Sequence, residues 1–224
     1  MSRAVVATAA FVAFAAAAWA ATTPRDGALA LLLFAAALLA AGAAWLDPSL
    51  GASKTLALVA ALAAAAAGGR VLFAAIPGVQ PVTVITVGAG AALGARAGFG
   101  VGALAALASN FFLGQGPWTP WQMLAWGGCG VVGALAAPLV RQRLAFALLC
   151  FVLGFAFSGL MDVWEWYSFY PHTWAALTVQ LGRGFWFDAA HAIGNVVIAF
   201  VAGPELRRLL ERYGRRLRTK VIWT

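Results

Sequence analysis

LAFALLCFVLGFAFSGLMDV, residues 144–163, decides the fold. Its apolar side chains are interrupted only by Gly154, Ser158 and Gly159, and the one charge, Asp162, comes near its end. About 20 such residues, wound as a helix, cross the roughly 30 Å hydrocarbon core of a bilayer. A barrel strand would alternate apolar and polar positions; this run does not, so it predicts a transmembrane helix. The rest of the chain agrees. Its 224 residues are 63% hydrophobic and 10% charged, with a mean hydropathy of +0.89. So few charges cannot cover that much apolar surface in water, which excludes a soluble domain.

Working outward from that run, eight spans are expected, at about 4–21, 28–45, 55–75, 82–93, 98–113, 121–140, 144–163 and 184–203. The fourth and fifth are short. Gly90, Gly94, Gly98 and Gly102 run through them at four-residue spacing. This small-xxx-small pattern lets helix backbones approach closely. Gly94–Gly98 reads as a tight turn with Arg96 at its tip. The first span also resembles a signal peptide, with Arg3 ahead of it and Ala18-Trp19-Ala20 as a small-x-small site. Its apolar run is long for a signal, which favours an uncleaved helix.

Lysine and arginine set the orientation. With the N-terminus in the cytoplasm, eight spans place Arg3, Lys54, Arg96, Arg141 and Arg143 inside. The basic tail from Arg207 to Lys220 also falls inside. Only Arg25, beside Asp26, and Arg183 fall outside. This predicts a multi-pass protein of the cell membrane with both termini cytoplasmic. The net charge of +8 then traces the membrane face and suits anionic lipid heads rather than nucleic acid. Cys129 and Cys150 sit in separate spans and read as small buried side chains, not as a disulfide or metal pattern.

No nucleophile-base order, phosphate-cradling glycine loop or ATP-binding signature is present in the sequence. Chemistry must come from polar side chains inside the membrane, where a charge costs roughly 2.5–3.5 kcal/mol on insertion scales. Arg70, after Gly68-Gly69, either snorkels to the outer surface or faces inward toward an acid or a ligand. Asp162 and Glu165 share a helix face ahead of the aromatic run from Trp164 through Trp166 to Tyr170. That run is either an interfacial belt or the start of a second gating loop, 167–182, with His172 and Gln180. Asp188, His191 and Asn195 form one stripe of the last span. They either glue helices together or floor a polar pocket. One His and one Asp lack the further ligands a metal site needs. Ser109 and Asn110 close the fifth span and either cap it or touch a ligand.

With this orientation the loops 76–81, 112–121 and 163–183 all lie outside. They are rich in proline, aromatic or polar residues, while the inner turns 94–98 and 140–143 are short and basic. The middle loop, NFFLGQGPWTPWQ at 110–122, is stiffened by Pro117 and Pro120. Elaborate outer loops over plain inner turns suit a protein that meets a solute from outside.

The segments RVLFAAIPGVQPV at 70–82 and SNFFLGQGPWTPWQM at 109–123 resemble the S component of energy-coupling factor (ECF) transporters. SGLMD at 158–162 is a weaker echo, and the resemblance spans about 55–204. It implies an all-α, polytopic membrane bundle: a six-helix substrate-binding core at 55–204, with two extra transmembrane helices in 1–54 and a basic tail at 205–224. It implies capture of a vitamin or related micronutrient, cobalamin first and riboflavin next. Uptake would be driven by partners, an ECF transmembrane coupling subunit and two ATPase subunits, so the chain itself would be no enzyme and would need no cofactor. Members dock on the coupling subunit through small residues of the first core helix, for which Ala57, Ala61 and Ala65 are the matching positions. The expected substrate contacts are Arg70, Gln80, Asn110, Gln115, Trp118, Trp121, Gln122, Asp162, Trp166, Asp188 and His191. Flat aromatic side chains suit a ring system with polar edges. Two other classes stay open: an intramembrane enzyme using Asp162, Asp188 and His191, and a ligand-free membrane scaffold.

Overall fold

The structure, a computed structural model, describes residues 52–218. The expected spans at 4–21 and 28–45, the candidate cleavage site and Lys220 lie outside these residues. The described residues are all-helical and contain no strand. Seven helices follow one another: α1 Ala52–Leu72, α2 Val82–Leu93, α3 Ala95–Leu113, α4 Thr119–Leu135, α5 Ala137–Val140, α6 Arg143–Phe169 and α7 Trp174–Arg218. Four of these contain stretches long and apolar enough to cross a membrane: Lys54–Leu72, Ala95–Leu113, Arg143–Phe169 and Trp174–Gly214. Leu72, Leu135, Trp174 and Trp186 stand on the surface, as lipid-facing side chains do.

Helix α2 is the axis of the bundle. At 12 residues it is only about 18 Å long, too short to span the hydrocarbon alone. It touches every other helix described, and 82–84 and 86–90 are all buried. A short helix is tolerated at membrane depth because protein, not lipid, surrounds it.

Glycine makes the central crossing possible. A Cβ on Gly90 would stand 1.9 Å from the Gly130 carbonyl oxygen, and one on Gly130 would stand 2.2 Å from the Gly98 carbonyl carbon. Helices α2, α3 and α4 therefore meet backbone to backbone, as the glycine ladder predicts for two of them. Gly94 plays a different part: it alone forms the α2–α3 turn, at φ 96°, a conformation that glycine adopts without strain. The helix resumes at Ala95, so the turn expected over Gly94–Gly98 shrinks to one residue, with Arg96 exposed in the first turn of α3.

Three other boundaries differ from expectation. The span expected at 121–140 breaks at Ala136, because Pro138 has no N–H to donate back and restarts the chain as the short α5. The outer loop expected at 163–183 is mostly helix. Helix α6 runs on to Phe169 and stops where Tyr170, preceding Pro171, is held extended at φ −121°, ψ 161°. Helix α7 starts four residues after Tyr170, its first turn capped by the Thr173 hydroxyl, which accepts the Ala176 N–H at 3.2 Å. The second gating loop thus reduces to 170–173. There His172 stacks on Tyr167 with ring centres 4.9 Å apart. The tail is not separate either: α7 carries straight through Pro204 to Arg218 as one helix of 45 residues.

Candidate functional site

The topology sorts the loops to two ends. The turns at 94 and 136–142 and the basic part of α7 share one end; the loops 73–81, 114–118 and 170–173 share the other. At the second end, α1 closes on Gly69-Arg70. Pro81 packs so tightly on Gly69 that a Cβ there would lie 2.4 Å from the proline ring. This seats Gln80 beside Arg70, whose Nε donates to Gln80 Oε1 at 3.0 Å.

The Arg70 guanidinium then crosses to the end of α3. Nη1 donates to Ser109 Oγ at 2.7 Å and to Asn110 Oδ1 at 2.6 Å. Asn110 passes the link on: its Nδ2 donates to Thr119 Oγ1 and to Gln122 Oε1, both at 2.9 Å. Thr119 donates to Gln115 Oε1 at 2.8 Å, and Gln115 Nε2 donates to the Leu107 carbonyl at 3.0 Å. Loop 114–118 is therefore pinned by its own side chains to α3 and α4. Ser109, Asn110 and Thr119 are buried, and Trp118 lies over Gly116 at the surface.

No carboxylate lies within ion-pair distance of Arg70 among the described residues. Its charge is offset by neutral oxygens and by the face of Trp126, 4.8 Å away. Its Nη2 has no hydrogen-bond partner there. A guanidinium with spare donors in a desolvated setting can receive an acceptor or an anion. Trp126 donates to Thr83 Oγ1 at 3.2 Å and stacks on Phe157 at 4.2 Å. Phe157 in turn meets His191 at 5.4 Å. His191 Nδ1 lies 2.7 Å from the Gly78 carbonyl, so it carries the proton, and its Nε2 accepts from Asn195 Nδ2 at 3.3 Å. Gly78 can offer that carbonyl because it turns the loop at φ 75°.

A second polar group lies between α6 and α7. Asp162 and Asp188 stand close enough for their charges to repel each other. Gln180 Nε2 bridges Asp162 Oδ1 at 3.3 Å and Glu165 Oε2 at 3.1 Å. Gly184 leaves the room: a Cβ there would sit 3.0 Å from both Asp162 oxygens. Asp162 Oδ2, Gln180 Oε1, Trp164 Nε1 and Ser168 Oγ are buried without a hydrogen-bond partner.

Of the expected contacts, Arg70, Gln80, Asn110 and Gln122 meet directly, and Gln115 joins them through Thr119. Trp118 covers the loop beside them. Trp121 is half-buried with its indole N–H unpartnered. Asp162 and Asp188 both fall in the second group, and His191 stands between the two groups. Trp166 belongs to neither: its indole donates to the Pro171 carbonyl at 3.0 Å and braces the turn. Ala57, Ala61 and Ala65 are exposed along α1, whose opposite face, Val59, Leu62 and Ala66, is buried. No cluster of three or more metal-ligating side chains occurs among the described residues. Thr83, Thr119 and Trp126 were not singled out from the sequence. Thr119, Gln122 and Trp126 fall at i, i+3 and i+7 of α4, one helical face, which was the available signal. Compared with family models, curated proteins and solved structures, the chain finds no match.

Proposed function

We propose that the chain is the substrate-binding membrane subunit of an ECF-type importer, with a six-helix core preceded by two further transmembrane helices. It captures a vitamin or related micronutrient from outside the cell, cobalamin before riboflavin, and partner subunits supply the ATP-driven step. The observation that carries this reading is the convergence of Arg70, Gln80, Asn110 and Gln122 from four segments beneath the stiff loop 114–118. Polar groups with fixed geometry beside aromatic faces are the makings of a small-molecule site. Trp118 and Trp121 act as the cover and supply stacking area. Arg70 offers its free donors to an acceptor on the ligand edge, and the acidic group on α6 and α7 takes the ligand's donors. The exposed alanines of α1 provide a smooth face for the coupling subunit, at the cell membrane with both termini cytoplasmic.

The test is thermal unfolding of the purified chain against a vitamin panel. A ligand at a thousandfold excess over its Kd adds about 4 kcal/mol of stability, so cobalamin is expected to raise the midpoint by several degrees. A panel in which no vitamin moves the midpoint would remove the reading. Turnover by the isolated chain, abolished in His191→Ala, would instead establish the intramembrane enzyme.

A further inference from the structure

The basic end of the bundle carries a feature that substrate capture does not use. Helix α2 finishes in small side chains, Gly88, Ala91 and Ala92, while α7 opposes them with Leu206, Arg207 and Glu211. The mismatch in side-chain length leaves a cleft of about 410 Å³ between α2, α5, α6 and α7. Its walls are divided about equally between polar and apolar surface. Its ionic groups are Arg141, Arg207 and Glu211. Arg207 donates to Glu211 at 3.2 Å, so that pair is nearly neutral. Arg141 is exposed and has no hydrogen-bond or ion-pair partner among the described residues. The cleft therefore carries one unopposed positive charge at its rim. Leu139 and Leu144, on either side of Arg141 in sequence, are exposed.

A charge at the rim of a half-polar cleft between membrane helices, with exposed leucines alongside, matches an anion that carries acyl chains. Basic pockets of this kind on the cytoplasmic side of membrane proteins take anionic lipid heads. The distribution of lysine and arginine assigns this end to that side. We propose that the cleft seats the headgroup phosphate of an anionic phospholipid, held by Arg141, with the acyl chains along Leu139 and Leu144. The proposal stands apart from substrate capture at the other end.

Native mass spectrometry of the full chain in detergent, titrated with phosphatidylglycerol, tests it, with phosphatidylcholine and inorganic phosphate as separate arms. Phosphatidylglycerol is expected to be retained over phosphatidylcholine. Arg141→Gln is expected to weaken that binding about fivefold, with the lipid-free unfolding midpoint unchanged. Glu211→Gln is expected to strengthen it, because it releases Arg207. Arg212, exposed on the same helix outside the cleft, is the control, and Arg212→Gln is expected to bind as the parent does. Equal weakening in Arg212→Gln would show a diffuse charge effect and overturn the site. So would equal retention of phosphatidylcholine, displacement of the lipid by equimolar phosphate, a lowered lipid-free midpoint in Arg141→Gln, or no retained lipid at all, which would leave the cleft to a partner's helix.

Discussion

Two polar groups share this membrane bundle, and they are built on opposite plans. The Arg70 group draws on α1, α3, α4 and the loops between them, and its oxygens are paired: Gln80, Ser109, Asn110, Thr119 and Gln122 each take part in one chain of donors and acceptors. The Asp162 group draws on α6 and α7 alone and leaves Asp162 Oδ2 and Gln180 Oε1 buried and unpaired. A satisfied network rigidifies, whereas an unsatisfied buried group costs roughly 1–3 kcal/mol until something meets it. The first group is thus a brace between helices, and the second holds unpaired polar atoms that stability alone would not retain.

The brace depends on the glycine crossing below it, and there the largest effect is expected. Gly130→Ala places a Cβ 2.2 Å from the Gly98 carbonyl carbon, where backbone cannot yield as a flexible side chain would. Overpacking typically costs 1–3 kcal/mol and occasionally more, so a loss of about 3 kcal/mol or outright failure to fold is expected. Urea or thermal unfolding in detergent reads it. A midpoint equal to that of the parent would mean that α3 and α4 do not cross as closely as described.

Arg70→Gln comes next. Hydrogen bonds to a charged group contribute about 1.5–3 kcal/mol each, and truncation leaves the buried Asn110 Oδ1 unpaired and takes one of two partners from Ser109 Oγ. A destabilisation of roughly 2–3 kcal/mol is expected. Arg70→Lys should recover only part of it, since an ammonium cannot reproduce the planar fork. Full recovery by lysine would reduce the brace to a simple charge.

The other group should respond with the opposite sign. Asp162→Asn keeps the shape, relieves the approach to Asp188 and supplies an N–H among acceptors. A gain of about 1 kcal/mol in stability is expected, accompanied by weaker ligand binding, the trade-off common at functional sites. Loss of stability in this variant would make Asp162 a second brace and erase the contrast between the two groups.

Much of the brace was legible in the sequence because its parts are local. Arg70, Gln80, Asn110 and Gln122 are polar residues at the ends of apolar runs, and that position alone marks them. The glycines of α2 and α3 announced a close approach by their spacing. What they approach was not legible: Gly130 and Gly133 lie in an α4 sequence equally suited to other registers, and only packing selects one. The aromatic stretch 164–169 misled for a related reason. Tryptophan and tyrosine suit both a membrane interface and a helix face, and the helix wins until Pro171 stops it. Trp126 carries no polar neighbour in sequence, so its place beneath Arg70 follows from the α4 register and from nothing nearer.

The smallest stability effect separates cover from brace. Trp118 is partly exposed over Gly116, and its indole donates to nothing among the described residues. Its removal strands no buried partner, so Trp118→Ala should leave the unfolding midpoint within about 0.5 kcal/mol of the parent, as surface changes usually do. Ligand affinity should nonetheless fall about tenfold, since an aromatic face contributes roughly 0.5–1.5 kcal/mol beyond the area it buries. Isothermal titration with the vitamin that stabilises the parent measures both the fall and its enthalpy. Unchanged affinity with an intact fold would take the loop out of the site and leave Arg70 bracing a mouth that Trp118 does not cover.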